Sequence, residues 1–180
     1  MSAYGNMKMN PMAVAELASA EQYLHTRFEH DAEFVEGRIV PRPVPTWEHA
    51  CIQGFLVEEL RIIGRRLGIF AVPEQRVQVR PDRFRVPDVC VVAERPDGTF
   101  GRRIVTQPPW LCVEILSPED TTVETLDRVR EYLSFGVKWV WVIDPVSRSG
   151  QGHGNNSVAS VDDGIFSTDL FSVDLSRAEF

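Results

Sequence analysis

The run Trp139-Val140-Trp141-Val142-Ile143 restricts the possible folds of this chain more than any other segment. A strand with one wet face alternates apolar and polar residues, whereas 137–143 carries only Lys138 among apolar neighbours. Both faces of such a strand must be covered, which calls for a sheet packed on each side. The segment before it supplies one cover. Leu126, Val129 and Leu133 mark one face of a helix over 122–135, and Gly136 ends it. The segment before that helix, 110–116, is another apolar strand, so the order is strand, helix, strand.

Upstream, Thr46 is a suitable N-cap for a long helix ending before Gly68. Ile52, Leu56, Leu60, Ile63 and Leu67 recur along it at helical spacing. Ser19 and Gln22 form a capping box that opens a short helix through about Phe28. The stretch 33–40 suggests two short strands around Glu36-Gly37, stopped by Pro41, Pro43 and Pro45. After Gly68 the pattern turns to strands at 69–72, 76–80 and 86–93, followed by a polar loop over 94–101. The stretch 147–157, rich in Gly, Ser, Asn and Gln, reads as an exposed turn or loop without chemistry. Residues 165–175 could add a strand or two at the sheet edge. The order predicts an α/β fold with a mixed central β-sheet flanked by helices.

At 180 residues the chain fits one core, read as a single domain over 19–180 after an N-terminal tail at 1–18. No stretch approaches the ~20 apolar residues of a membrane span, so no membrane partner is expected. The first eleven residues lack the apolar run of a secretory signal, and the expected location is cytoplasmic. Cys51, Cys90 and Cys112 lie far apart inside apolar segments, which suits core positions better than a redox or zinc role. The formal net charge of −7 argues against coating nucleic acid by bulk electrostatics. A local basic groove remains open, because arginines cluster between Arg76 and Arg103. The only lysines are Lys8 and Lys138.

Two carboxylates sit where ionisation is most costly. Asp88 lies in Val86-Pro87-Asp88-Val89-Cys90, and Glu114 lies in Cys112-Val113-Glu114-Ile115-Leu116. A buried carboxylate costs several kcal/mol, on the order of what relaxation leaves, unless it is paired or binds a cation. A divalent ion held by both would offset that cost, and Mg²⁺ takes one or two carboxylates with water and phosphate oxygens. The alternative is that each acid ends a strand in water or meets a nearby arginine.

Pro87-Asp88, Glu114-Ile115-Leu116-Ser117-Pro118, a helix carrying Tyr132 before Gly136-Val137, and Trp139 through Asp144-Pro145 together resemble the Uma-two family of endonucleases. That family is a branch of the PD-(D/E)XK superfamily. Glu33-Phe34-Val35-Glu36-Gly37 and Glu48-His49 also match, and the resemblance spans roughly Gln22 to Asp144. It implies a restriction-endonuclease-like core and a Mg²⁺-dependent (or Mn²⁺-dependent) nuclease acting on DNA. Asp88 and Glu114 would bind an ion that activates water and neutralises charge at the phosphate. Glu33 and His49 resemble further family positions that would hold water on the ion. For Glu33 the alternative is a strand-edge acid, and for His49 an unremarkable polar residue in a first helical turn.

The family lysine corresponds to Arg128 here. A guanidinium stays protonated, so Arg128 is suited to steadying phosphate charge and not to serving as a base. A second reading makes Arg128 the partner of Glu124 on the helix surface, beside a Thr121–Glu124 capping box. Loss of the lysine also admits a catalytically silent nucleic-acid-binding or assembly module that keeps the fold. A third reading is a homo-oligomer, such as a homodimer, built on the apolar strand and its tryptophans. Ser117 lacks the Gly-x-Ser-x-Gly elbow and reads as a turn residue. Arg76, Arg80, Arg83, Arg85, Arg102 and Arg103 either line a phosphate groove or form a solvated strand face.

Overall fold

The computed structural model describes residues 18–28, 31–95 and 104–179. Residues 1–17 of the proposed 1–18 tail, including Lys8, most of the 94–101 loop, Arg102 and Arg103 lie outside the described residues. Elements run in the order α1 (Ala20–His25), β1 (Ala32–Val35), β2 (Arg38–Pro41), α2 (Trp47–Leu67), β3 (Phe70–Pro73), β4 (Val77–Arg80), β5 (Arg83–Arg85) and β6 (Val89–Val92). There follow β7 (Leu111–Ile115), α3 (Thr122–Phe135), β8 (Trp139–Ile143), β9 (Gly150–Gly154), β10 (Ser157–Val161), β11 (Ile165–Ser167), β12 (Ser172–Asp174) and a 3-10 turn, Leu175–Arg177.

The main sheet has six strands in the order β10-β9-β8-β7-β6-β3. Only β7 and β8 run parallel, because α3 supplies the crossover that a parallel pair needs. Strand β8 is interior, and Val140 through Ile143 are buried, as the apolar run requires. That position leaves it no edge to offer a second copy, so the reading of β8 as an oligomer interface is set aside. On one face Val89, Val91, Leu111, Val113 and Trp141 pack against Ile52, Leu56 and Leu60 of α2. On the other, Cys90, Cys112, Val140 and Val142 pack against Val129 and Tyr132 of α3. The alternation of strand side chains thus sorts two cores. Cys90 and Cys112 are core residues, and burial pushes the Cys90 thiol up to about 12.

A second, antiparallel sheet has the order β2-β1-β5-β4, and α1 covers it through an aromatic cluster of Tyr23, Phe34 and Phe84. The strand expected at 86–93 is shorter. Strand β5 belongs to the second sheet and β6 to the main one, so Val86-Pro87-Asp88 is the link between them. Helix α1 stops at His25, three residues short of the expected end, with the Thr26 amide closing on Gln22 and Tyr23 carbonyls.

The stretch 147–157 corrects the composition-based reading of an exposed loop. It contains β9 and the start of β10, both in the main sheet. The register sets Trp139, Trp141 and Ile143 opposite Gly154, Gly152 and Gly150. A Cβ at Gly150 would strike the Val142 carbonyl oxygen, and one at Gly154 would lie 3.2 Å from the Trp139 ring. Gly154 makes room for the Trp139 ring and Gly150 for the Val142 carbonyl, so these glycines are not signs of solvation. Strands β11 and β12 pair only with each other, not with the edge of the main sheet, and Phe166 packs 5.5 Å from Trp141 between ring centroids.

Candidate active site

Asp88 immediately precedes β6 at the junction between the sheets, and Glu114 is the penultimate residue of β7. The register pairs Val89 with Val113, so the next residues, Asp88 and Glu114, come together at one end of this strand pair. Both carboxylates line one cavity of about 90 Å³, together with Glu33, Arg42, His49 and Arg128.

Each carboxylate is held from several sides. Asp88, 1% exposed, accepts from Arg42 and from His49 Nε2 (3.2 Å) on Oδ1, and from the Ile115 amide (2.6 Å) on Oδ2. Burial alone would raise its pKa. The His49 hydrogen bond, the Arg42 charge and the Ile115 amide outweigh that and hold Asp88 below the usual carboxylate range. Glu114, 3% exposed, accepts from the Tyr132 hydroxyl on Oε1 (2.7 Å) and from Arg128 Nη1 on Oε2 (3.0 Å). Here burial wins. It pushes Glu114 up to about 7 against the opposing Arg128 charge, with Asp88 and Glu33 adding to the rise. Two acids of one class therefore differ in affinity for protons because one has more compensation than the other.

Arg128 and Tyr132 are four residues apart on α3, so both reach Glu114 from one helix face. Arg128 also contacts Asp120 at 2.5 Å. The Thr121–Glu124 capping box is present, but the Arg128 side chain turns to Glu114 and Asp120 instead of forming the surface pair with Glu124. Lys138 is exposed, 3.9 Å from Asp169, and does not line the cavity.

His49 is in the first turn of α2, where Thr46 caps its amide. Its ring is buried, with Nε2 on Asp88 and Nδ1 facing Ser117 Oγ at 3.3 Å. Glu33 is not a strand-edge acid, because β1 lies between β2 and β5. It is 7% exposed, accepts from the Val86 amide (3.2 Å) and pairs with Arg85, which also holds Glu131 of α3 at 2.6 Å. Arg85 thereby ties the second sheet to α3 beside the cavity.

Sequence reasoning passed over Arg42, Asp120 and the hydrogen-bonding role of Tyr132. A signal existed for Tyr132, since its spacing from Arg128 puts both on one helix face. Arg42 carried a weaker one: flanking prolines at 41 and 43 hold an extended backbone that projects a side chain. The described arginines of the proposed phosphate groove are engaged with acids. Arg76 meets Asp31, Arg80 meets Glu36 and Asp82, and Arg83 meets Glu36 and Glu131.

The donor chemistry suits a hard divalent cation in part. Among the described residues no three His, Cys or acidic side chains form a protein-only metal cage. Two carboxylates completed by water and phosphate oxygens is the mode Mg²⁺ accepts. Five carboxylates line the cavity (Glu33, Glu74, Asp88, Glu114 and Asp120) against the guanidiniums of Arg42 and Arg128, and the charges of Asp88 and Glu33 add to the rise that burial causes at Glu114.

A six-stranded mixed sheet with paired acids at the junction of two strands defines an α/β nuclease-type fold, and a solved structure shares it. A protein from Anabaena variabilis ATCC 29413, titled a "putative nuclease belonging to DUF820", superposes with a TM-score of 0.71 at 23% identity, covering 83% of this chain and 88% of that one. The model of the Uma2 family, described as "Putative restriction endonuclease", matches residues 20–162, and the chain belongs to that family. No curated protein matches the sequence.

Proposed function

We propose that this protein is a Mg²⁺- or Mn²⁺-dependent endonuclease that hydrolyses phosphodiester bonds in DNA. The observation that carries the reading is the convergence of Asp88 and Glu114 on one cavity, with more acid around them than the two arginines neutralise. In this reading Asp88 and Glu114 hold the ion. When bound, the ion supplies Lewis-acid charge at the phosphate and makes water acidic enough to react near neutral pH.

The remaining side chains act on these two acids and on the substrate. His49 and the Ile115 amide fix the plane of the Asp88 carboxylate, leaving lone pairs for the ion. Tyr132 and Arg128 fix Glu114, and Arg128 lies where it can neutralise charge gathering on a phosphate. Glu33, held by Arg85, stands by to orient water in the same cavity.

Plasmid cleavage with Mg²⁺ or Mn²⁺ tests this. Purified protein is expected to nick DNA, and Asp88→Ala and Glu114→Ala each to reduce the rate at least about 100-fold, the scale of a lost electrostatic contact. Cleavage that survives both substitutions would assign it to another site.

One observation favours a second reading, a catalytically silent nucleic-acid-binding or assembly module. Both acids already have a guanidinium partner, Arg42 on Asp88 and Arg128 on Glu114. Absence of calorimetric heat with millimolar Mg²⁺ or Mn²⁺ selects that reading.

A further inference from the structure

Arg42 follows the last residue of β2 and stands between Pro41 and Pro43. A residue before proline is confined to extended backbone, and the Arg42 amide is fixed on the Asp31 carbonyl at 3.2 Å. Movement at this position therefore belongs to the side chain. Its guanidinium has two acceptors. Nη2 is on Asp88 Oδ1, at the cavity floor, and Nη1 is 3.9 Å from Glu74 Oε1, at the cavity mouth. The Glu74 carboxylate is half exposed and is tethered next to Asp88. The Glu74 amide donates to the Asp88 carbonyl (3.2 Å), and the Gln53 amide spans the Asp88 carbonyl (3.0 Å) and Glu74 Oε1 (3.4 Å).

Asp88 does not depend on Arg42 for its position, because His49 and the Ile115 amide hold both its oxygens. Arg128 differs, as it is bound between Glu114 and Asp120 at hydrogen-bond distance from each. Of the two guanidiniums in the cavity, Arg42 is the one whose outer partner is half exposed and 3.9 Å away, whereas the outer partner of Arg128, Asp120, is 13% exposed and 2.5 Å away.

We propose that Arg42 is the resident counter-ion of Asp88 and yields that carboxylate to the divalent cation, its guanidinium passing to the Glu74 side of the cavity mouth where a phosphodiester enters. The inference rests on the nuclease reading above. It makes cation binding and substrate binding sequential: the charge released from Asp88 becomes a phosphate contact only after the cation has arrived. A guanidinium that occupies Asp88 for more than about nine-tenths of the time weakens apparent cation affinity about tenfold, since only the vacated fraction is competent.

Mn²⁺ titration by calorimetry on metal-stripped full chain tests the exchange. Arg42→Gln is expected to bind Mn²⁺ about tenfold more tightly than the parent, with Arg42→Lys between them because a lysine lacks the second fork of the guanidinium. Arg76→Gln removes the same charge at Asp31 and is expected to change affinity less than about twofold, as distant charges are screened. Equal Mn²⁺ affinity in parent, Arg42→Gln and Arg42→Lys overturns the exchange while leaving the nuclease reading in place. Equal tightening by Arg76→Gln also overturns it, by reducing the effect to a general field. No Mn²⁺ binding by any of them overturns both. A second readout uses Ca²⁺ with short duplex DNA. Arg42→Gln is expected to weaken DNA binding several-fold with Ca²⁺ and to leave it unchanged without, and an equal loss in both conditions contradicts the proposal.

Discussion

Glu114 shows how much one residue's surroundings decide. Its folded pKa, about 7, lies above the ordinary 4.5. Between those values the native state binds more protons than the unfolded chain, so the folded state is favoured as pH falls from above 7 toward 4.5. Asp88 acts in the opposite sense. Its depressed pKa contributes stability above the ordinary 3.8, lost only as pH falls below that value. With metal removed, Glu114→Gln is therefore expected to be more stable than the parent at pH 8 by ~2 kcal/mol, with the gain fading by pH 4.5. Urea melts at the two pH values check this, and a gain that persists at pH 4.5 would refute the burial argument. Arg128 gives a kinetic counterpart. Arg128→Lys is expected to cut DNA faster if a titratable amine is what the site lacks, and an unchanged rate would restrict Arg128 to holding Glu114 and Asp120.

Elements differ in how clearly the sequence announced them, and the glycines explain why. Helices α2 and α3 and strand β8 were legible because their signals are local: Thr46 and Thr121 caps, Gly68 and Gly136 in left-handed conformation at the ends, and an apolar run too continuous for a wet strand. The acidic pair was legible for a related reason, since a carboxylate among valines is anomalous within a single strand. Strand β9 was not legible. Gly150 is required by the Val142 carbonyl and Gly154 by the Trp139 ring, constraints visible only once the two strands are paired. Arg42 was hidden in the same way, because its partner Asp88 is 46 residues away. The distinction predicts opposite outcomes for one substitution. Gly150→Ala is expected to destabilise by about 1–3 kcal/mol or more, as the new methyl group meets the Val142 carbonyl. Gly54→Ala, in exposed mid-α2 with nothing within 4 Å of the added carbon, is expected to stabilise by ~0.5–1 kcal/mol. Denaturant unfolding of both variants checks the pair, and a neutral or stabilising Gly150→Ala would mean that β9 is not packed against β8 as described.

At the scale of the whole molecule, charge placement determines how DNA could be held. The formal charge is −7, and the arginines of the second sheet are committed to acids: Arg76 to Asp31, Arg80 and Arg83 to Glu36, and Arg85 to Glu33 and Glu131. Breaking the pairs at Glu33, Glu131 and Asp31 to meet phosphates would leave buried or partly buried carboxylates without a counter-charge, a poor exchange, whereas the exposed Glu36 pairs cost little to break. On the proposed reading, affinity then comes from few contacts near the cavity and from the cation, not from the described arginines of the second sheet. Each phosphate contact contributes about −0.9 to the slope of log affinity against log salt. Binding of duplex DNA in Ca²⁺ is accordingly expected to show a shallow slope, roughly −1 to −3, corresponding to ~1–3 contacts. Without a divalent ion, binding should be weaker across the series, because the acids of the cavity then repel the phosphates while Arg42 stays on Asp88. Filter binding or anisotropy across a salt series measures both quantities. A slope near −6 would require about six or seven phosphate contacts, more than the uncommitted charge around this cavity can supply, and would place the DNA on a different surface.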